Sequence, residues 1–69
     1  MRLPTQQEKD SLESLIDSMN LDTILGAIVN ICYEKANHIE ANLQDRATAK
    51  VWDGYGKAVA KAQHFVESH

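Results

Sequence analysis

Apolar residues recur at helical spacing along most of this chain. The strongest pattern runs from Leu21 to Leu43, where apolar positions follow one another at intervals of three or four residues. These positions are Leu21, Leu25, Ile28, Cys32, Ala36, Ile39 and Leu43. Such spacing is typical of the buried face of an amphipathic α-helix. No stretch alternates apolar and polar residues for long enough to predict a strand.

Two further patterns complete the prediction of an all-α fold in one helical domain, 1–69. The first predicted helix, about 8–19, has an apolar face, and Thr5 with Glu8 fits a capping box before it. That face consists of Leu12, Leu15, Ile16 and Met19. The third, about 46–66, follows Asp45, whose residue type suits an N-cap, and carries a longer apolar face. Its members are Val51, Trp52, Tyr55, Ala58, Val59, Ala62, Phe65 and Val66.

The lengths of the predicted helices indicate how they pack. The second helix, about 23–43, and the third should form a long antiparallel hairpin, because a tight turn at Gln44-Asp45 joins them. The short first helix follows a flexible tail, 1–7, and should run antiparallel to the second helix over Ile24 and Ile31. Apolar side chains near the hairpin turn would then stay uncovered. We therefore expect a homodimer, most simply a six-helix assembly with two-fold symmetry.

Length and composition narrow the classes of function. The single cysteine, Cys32, excludes an intrachain disulfide, fits a reducing cytoplasm, and is expected to be buried and inert. No apolar run is long enough to span a membrane, and the N-terminus lacks the apolar region of a secretory signal. The sequence has neither a Ser-His-acid set nor a phosphate-binding glycine loop, so we expect no enzyme activity and no cofactor.

Polar residues replace apolar ones along the second half of the longest helix. Ile24 and Ile31 share one flank of its apolar face. Farther along, the same flank carries Lys35, His38 and Asn42, which we call the polar wedge. A stripe that changes in this way is expected to meet two environments, so we place a partner surface at this end of the hairpin. The interface candidates are Lys35, His38, Ile39, Asn42, Leu43, Trp52, Tyr55 and Gly56.

Glycines within the third helix need a physical reason, because each costs about 1 kcal/mol relative to alanine there. Gly54 and Gly56 lie within the predicted helix, and Gly56 shares a seam with Ala49 and Ala60 beside the apolar face. Small residues on such a seam would let another helix approach closely. A kink or an ordinary surface glycine is the alternative interpretation.

A metal- or small-ligand-binding helical bundle is one alternative function. Glu34 and His38 lie one helical turn apart, and Asp53 or a second chain could complete a site. Carboxylate-bridged metal bundles need several inward-facing Glu residues and a Glu-x-x-His spacing, which this chain lacks. The simpler interpretation is a solvated pair on the helix surface.

Nucleic-acid binding is a second alternative. The third helix carries basic residues within roughly 60° of its circumference, where they could follow phosphates. They are Arg46, Lys50, Lys57, Lys61 and His64. Against this function, Asp53 interrupts the stripe, no aromatic residue is interleaved with it, and the chain has a net charge of -3. A solvated helix face is the simpler interpretation.

The hairpin turn and its flanks also resemble a known group of proteins. The run Ile31-Cys32-Tyr33-Glu34-Lys35-Ala36-Asn37-His38-Ile39-Glu40-Ala41-Asn42-Leu43-Gln44-Asp45 is followed by Thr48-Ala49-Lys50-Val51-Trp52. This pattern, C-x-E-K-A-x-H-[IL]-x-x-N-x-Q-D and then A-x-x-W, is similar to that of small uncharacterised bacterial and phage helical proteins. The resemblance covers about half of the chain. It implies an all-helical fold and no known activity.

Overall fold

Three α-helices account for most of the residues that the computed structural model describes, 2–68. They are α1, Gln6–Met19; α2, Leu21–His38; and α3, Arg46–Ser68. A π-helical turn, Ile39–Leu43, extends α2 to the loop before α3. The described residues contain no strand, which confirms the all-α prediction. Met1 and His69, the ends of the predicted domain, lie outside the described residues.

The start of α1 is fixed by the capping box that the sequence predicts. The Glu8 amide donates to Thr5 Oγ1 at 3.1 Å, and the Thr5 amide donates to Glu8 Oε1 at 2.9 Å. Two otherwise unpaired amides are thereby satisfied. Arg2 also binds the Glu8 carboxylate at 2.8 Å. The helix therefore begins at Gln6, within the segment 1–7 that the sequence predicts to be a tail.

The junction between α1 and α2 differs from the prediction. Asn20 has φ 71° and ψ 158°, and the chain axis turns by 114° between α1 and the segment Leu21–Leu43. The prediction that the first helix runs antiparallel to the second is therefore wrong. Helix α1 contacts α2 but has no Cα atom within 8 Å of a Cα atom of α3, and none of its residues is buried. The physical cause is the backbone conformation of Asn20.

Helices α2 and α3 pack on each other through small residues. Ala36 of α2 is buried, as are Ala49 and Gly56 of α3. A Cβ atom on Gly56 would lie only 2.7 Å from Cε1 of Tyr33 on α2. The close helix approach predicted at Gly56 is thus present, and it lies between α2 and α3 of one chain. Cys32, as expected, is buried with a free thiol.

The face of α3 that contacts α2 is not the one that the sequence predicts. Val51 and Tyr55 are exposed, as expected of apolar residues near the hairpin turn, but three further members of the predicted apolar face are exposed as well, namely Ala58, Ala62 and Phe65. The helix instead turns its seam of small residues toward α2, with Trp52 and Val59 half-buried beside it. Small side chains let two helix backbones come closer, which gains dispersion contacts along the whole seam. That gain explains why α3 is rotated about its axis so that the seam of small residues, and not the larger apolar residues, faces α2.

The loop before α3 confirms the predicted cap. Gln44 adopts the left-handed conformation, with φ 52° and ψ 34°. Asp45 Oδ1 then accepts from the Thr48 amide at 3.1 Å, and Oδ2 accepts from the Thr48 hydroxyl at 2.7 Å. These hydrogen bonds from Thr48 lower the pKa of Asp45 from its ordinary value. An N-cap carboxylate of this kind ends the turn and fixes the first residue of α3.

Within the described residues, no single helix is long and apolar enough to cross a membrane. Helix α1 and the segment Leu21–Leu43 reach that length and composition only when they are taken together, across their bend of 114°.

Candidate functional site

One flank of α3 forms an exposed apolar row, which we call the α3 stripe: Val51, Tyr55, Ala58 and Ala62. The residues of this row are spaced by four, three and four positions, so they lie above one another on the helix. Val51 is 48% exposed and Tyr55 is 53% exposed. A row of apolar residues with this heptad-like spacing is usually buried between two packed helices. In this chain, however, α3 packs on α2 through a different face.

An aromatic pair marks the border between the α3 stripe and the α2–α3 contact. Trp52 is half-buried, and its ring meets that of Tyr55 edge to face, with centroids 5.4 Å apart and an interplanar angle of 87°. The ammonium group of Lys35 lies 5.4 Å from the centroid of the Trp52 ring. Exposed cation–π contacts of this kind contribute about 0.5–1 kcal/mol. The sequence placed both aromatic residues near the polar wedge, and the Lys35 contact joins the two features.

The other two members of the polar wedge interact with each other. Asn42 Nδ2 lies 3.1 Å from His38 Nδ1 and donates to the His38 carbonyl oxygen at 3.2 Å. Both side chains are exposed. The wedge is thus a boundary surface held by local contacts along α2.

A shallow groove of about 540 Å³ lies between the polar wedge and Trp52, and we call it the wedge groove. Its lining is Ile31, Glu34, Lys35, His38, Ile39 and Trp52. Ile31 is 50% exposed, although the sequence predicts that the first helix covers it. Helix α1 crosses α2 at a steep angle after the bend of 114°, and this side chain stays half exposed. The groove therefore joins an apolar floor to polar and charged rims, as protein-binding surfaces do.

The residues considered for a metal site are divided between two grooves. Glu34 and His38 line the wedge groove, whereas Asp53 lines a second groove of about 390 Å³. Asp53 is also paired with Lys57 at 2.9 Å, which raises the pKa of Lys57. Within residues 2–68, no three His, Cys, Asp or Glu side chains are grouped closely enough to hold a metal ion. The structure therefore does not bring this candidate set together.

The basic residues of α3 lie on the other side of the helix from the α3 stripe. Arg46 and Lys50 line the second groove together with Glu40 and Asp53, so acidic and basic side chains alternate there. All five members of the predicted basic stripe, Arg46, Lys50, Lys57, Lys61 and His64, are exposed. This arrangement is that of a solvated face, and nucleic-acid binding stays a prediction.

The remaining interface candidates have different surroundings. Leu43 is 66% exposed in the π-helical turn, and Ile39 is half-buried at the edge of the wedge groove. Gly56 is buried against Tyr33, so it supports the hairpin from within the chain. The sequence reasoning missed that the apolar face of α1 is also exposed, as Leu12, Leu15 and Met19 show. No sequence signal indicates it, because it depends on the backbone conformation of Asn20.

Comparison with protein-family models, with curated proteins and with solved structures gave no match.

Proposed function

We propose that this chain is a homodimeric protein–protein interaction module whose partner surface is the α3 stripe with the adjoining wedge groove. The observation that supports this proposal most directly is that Val51 and Tyr55 stay exposed on α3, while a separate face of this helix packs on α2. Contiguous exposed apolar surface on a small protein marks an interaction site. A second copy supplies a complementary surface without any further gene product, and two-fold assembly is the commonest form of oligomer.

The small core of the single chain supports the same proposal. Among residues 2–68, the buried apolar side chains are those of Ile24, Cys32, Ala36 and Ala49. Two of these four are alanines, so little apolar volume is removed from water. Domains below about 70–80 residues rarely gain more than about 3–5 kcal/mol from one core, and oligomerisation is a common remedy. Self-association would bury the apolar residues that the chain leaves exposed.

The residue types in the α3 stripe and the wedge groove are those typical of protein–protein interfaces. Tyr and Trp are the residue types that most often anchor protein interfaces, and Trp52 and Tyr55 lie together at the centre of this one. The polar wedge provides a hydrophilic rim beside the apolar stripe. No catalytic residue is part of the proposal. The single buried thiol, Cys32, suits a reducing cytoplasm, where we place the module.

Sedimentation equilibrium of the untagged chain tests the proposal. At about 100 μM protein, a complex with a micromolar dissociation constant is mostly assembled, so the chain should sediment as a dimer. Tyr55→Glu places a charge in the α3 stripe and should give a monomer. The matched control is Asn30→Glu, which adds the same charge at an exposed position of α2 outside both grooves and should stay dimeric.

Circular dichroism of both variants ensures that the comparison concerns assembly and not folding. A wild-type chain that sediments as a monomer at this concentration would overturn the homodimer proposal. A Tyr55→Glu chain as dimeric as the wild type would show instead that the α3 stripe is not the partner surface.

A further inference from the structure

The α3 stripe lies in a sector of α3 that carries no charged residue. On a helix with 3.6 residues per turn, Gly54 and Thr48 mark the edges of this sector, roughly 120° apart. The basic residues of α3 all lie outside it, and Lys61 is the nearest of them. The contact with α2 is centred near Gly56, roughly 140° from the middle of the sector. A second helix could therefore pack on this sector without burying a charge.

Large and small side chains divide the α3 stripe into two halves. Val51 and Tyr55 occupy the half nearer the hairpin turn, whereas Ala58 and Ala62 occupy the half nearer the C-terminus. Two helices fill the space between them when the large residues of one face the small residues of the other. The stripe is therefore complementary to a second copy of itself only when that copy runs in the opposite direction.

From this order of side chains we infer that α3 of one copy pairs antiparallel with α3 of a second copy, so that Tyr55 packs on the second copy's Ala58. Val51 then packs on the second copy's Ala62, and the two-fold symmetry makes each contact twice. A parallel pair would set Tyr55 against Tyr55 and Ala58 against Ala58, which crowds one level and leaves a gap at another. The inference rests on the homodimer proposed above and specifies the helix that forms it.

The same register also gives nearly complete overlap of the two helices. When Tyr55 faces Ala58 of the second copy, the two-fold axis passes between positions 56 and 57, close to the middle of α3, Arg46–Ser68. About 33 Å of each helix then lies beside the other. A shift by one heptad shortens the overlap and, depending on its direction, sets Tyr55 against Val51 or Ala58 against Ala62. Size complementarity and overlap therefore select one register independently.

The surroundings of the stripe leave room for this pairing. No Cα atom of α1 lies within 8 Å of one in α3, so α1 does not cover the stripe. Trp52 and Val59, both half-buried, follow the edge of the stripe that is nearer α2, and the pairing brings Trp52 of one copy toward Val59 of the other. Lys35, which lies over Trp52, is then at the rim of the interface.

Cysteine cross-linking tests the direction and the register. Val51→Cys and Ala62→Cys are made in separate chains of distinguishable mass, mixed, and treated with a bis-maleimide that reaches about 10 Å, the distance between packed helix axes. The inferred register places these two positions side by side across the interface. It keeps like positions about 17 Å apart along the helix axes. The wild-type chain, with its buried Cys32, is the control for background reaction.

Antiparallel pairing predicts that the mixture forms several-fold more product joining position 51 to position 62 than either variant forms with itself. Products that join chiefly like positions would show a parallel pair. A dimer that gives no product between the two stripes would also overturn the inference, and both results would leave the homodimer standing. If the wild type sediments as a monomer and nothing is joined between chains, the proposed function fails together with this inference.

An exchange of large and small residues tests the same register without a cysteine. Ala58→Leu adds bulk opposite Tyr55 and should weaken the dimer several-fold, because it overfills the contact. Addition of Tyr55→Ala to this variant should restore most of the affinity, since the large and small partners have then only changed places. Sedimentation equilibrium measures both dissociation constants. A dimer that Ala58→Leu strengthens would show that apolar area alone holds the copies together, and it would overturn the inferred register.

Discussion

The ring of Tyr33 occupies the space that a side chain on Gly56 would need, since a Cβ atom there would lie 2.7 Å from Cε1 of the ring. Gly54, on the exposed side of the same helix, is different. Apart from its two chain neighbours and the backbone of its own helix, no described atom lies within 4 Å of the Cβ that it lacks. Only one of the two glycines of α3 therefore has a structural reason. Gly56 permits close packing, whereas nothing in the structure requires a glycine at position 54.

The first prediction follows from this difference. Gly56→Ala should lower the free energy of unfolding by about 1–3 kcal/mol, because overpacking forces the helices or the Tyr33 ring to move. Gly54→Ala is the matched control and should raise the free energy of unfolding by about 0.5–1 kcal/mol through helix propensity. Urea denaturation followed by circular dichroism measures both.

A double-mutant cycle assigns the effect to the ring. In a Tyr33→Leu background, the cost of Gly56→Ala should become much smaller, because the two residues are in direct contact. A Gly56→Ala chain as stable as the wild type would contradict the close contact.

The second prediction concerns Asn20. Its φ of 71° with ψ of 158° lies in a region that is essentially restricted to glycine and costs other residues about 1–3 kcal/mol. Asn20→Gly should remove this strain and, after the entropic cost of glycine in the unfolded chain, raise the free energy of unfolding by about 1 kcal/mol. Asn20→Ala should lower it. Thermal melts of the two variants give the order, and an alanine variant more stable than the glycine variant would contradict the strained bend.

The local parts of this fold could be predicted from the sequence because their determinants are close together in the chain. The capping box of Thr5 and Glu8 and the cap at Asp45 each depend on residues three positions apart. The bend at Asn20 could not be predicted, since residue type alone does not reveal a positive φ. The direction of α1, and with it the exposure of Leu15, follows from that one backbone conformation.

The orientation of α3 was predicted incorrectly because the helix has two faces that can pack. The larger apolar residues predict one face, and the seam of Ala49 and Gly56 offers another. Which face is buried depends on how closely two backbones can approach, and that depends on Tyr33 and Ala36 of the partner helix. The candidate surface was still located near Trp52, because the aromatic residues and the polar wedge lie at one level of the hairpin.

The third prediction concerns the stability of the first turn of α1 at low pH. The Arg2 guanidinium, together with hydrogen bonds from Thr5, lowers the pKa of Glu8 from 4.5 to about 2. Because the pKa is lower in the folded chain than in the unfolded one, the stabilisation is present above about pH 4.5 and is lost as the pH falls toward 2. Helix α1 should therefore fray from its N-terminus across this range.

The Glu8 side chain is exposed, so the effect should be small and should weaken with added salt. NMR of the amides at the start of α1, recorded between pH 6 and 2, measures it. Glu8→Gln removes the titrating group, and its first turn should be less ordered at neutral pH and insensitive to acid over this range. A wild-type first turn that is unchanged at pH 2 would contradict the role assigned to this carboxylate.

The last prediction concerns the polar wedge. Its side chains are exposed, and their contacts are local: Lys35 over Trp52, and Asn42 with His38. Replacing the three wedge residues with alanine should therefore leave helical content intact and lower the free energy of unfolding by no more than about 1 kcal/mol, the value of one exposed cation–π contact. As the rim of the proposed interface, the wedge should nevertheless matter for self-association.

The triple-alanine chain should form a several-fold weaker dimer than the wild type, though not the monomer expected of Tyr55→Glu, because rim contacts contribute less than a central aromatic anchor. The matched control replaces three exposed polar residues elsewhere on α2 and the π-helical turn with alanine, namely Asn30, Asn37 and Glu40. Sedimentation equilibrium compares the three chains. Equal dissociation constants for the wedge variant and the control would mean that the wedge is an ordinary solvated flank and that the interface ends at Trp52.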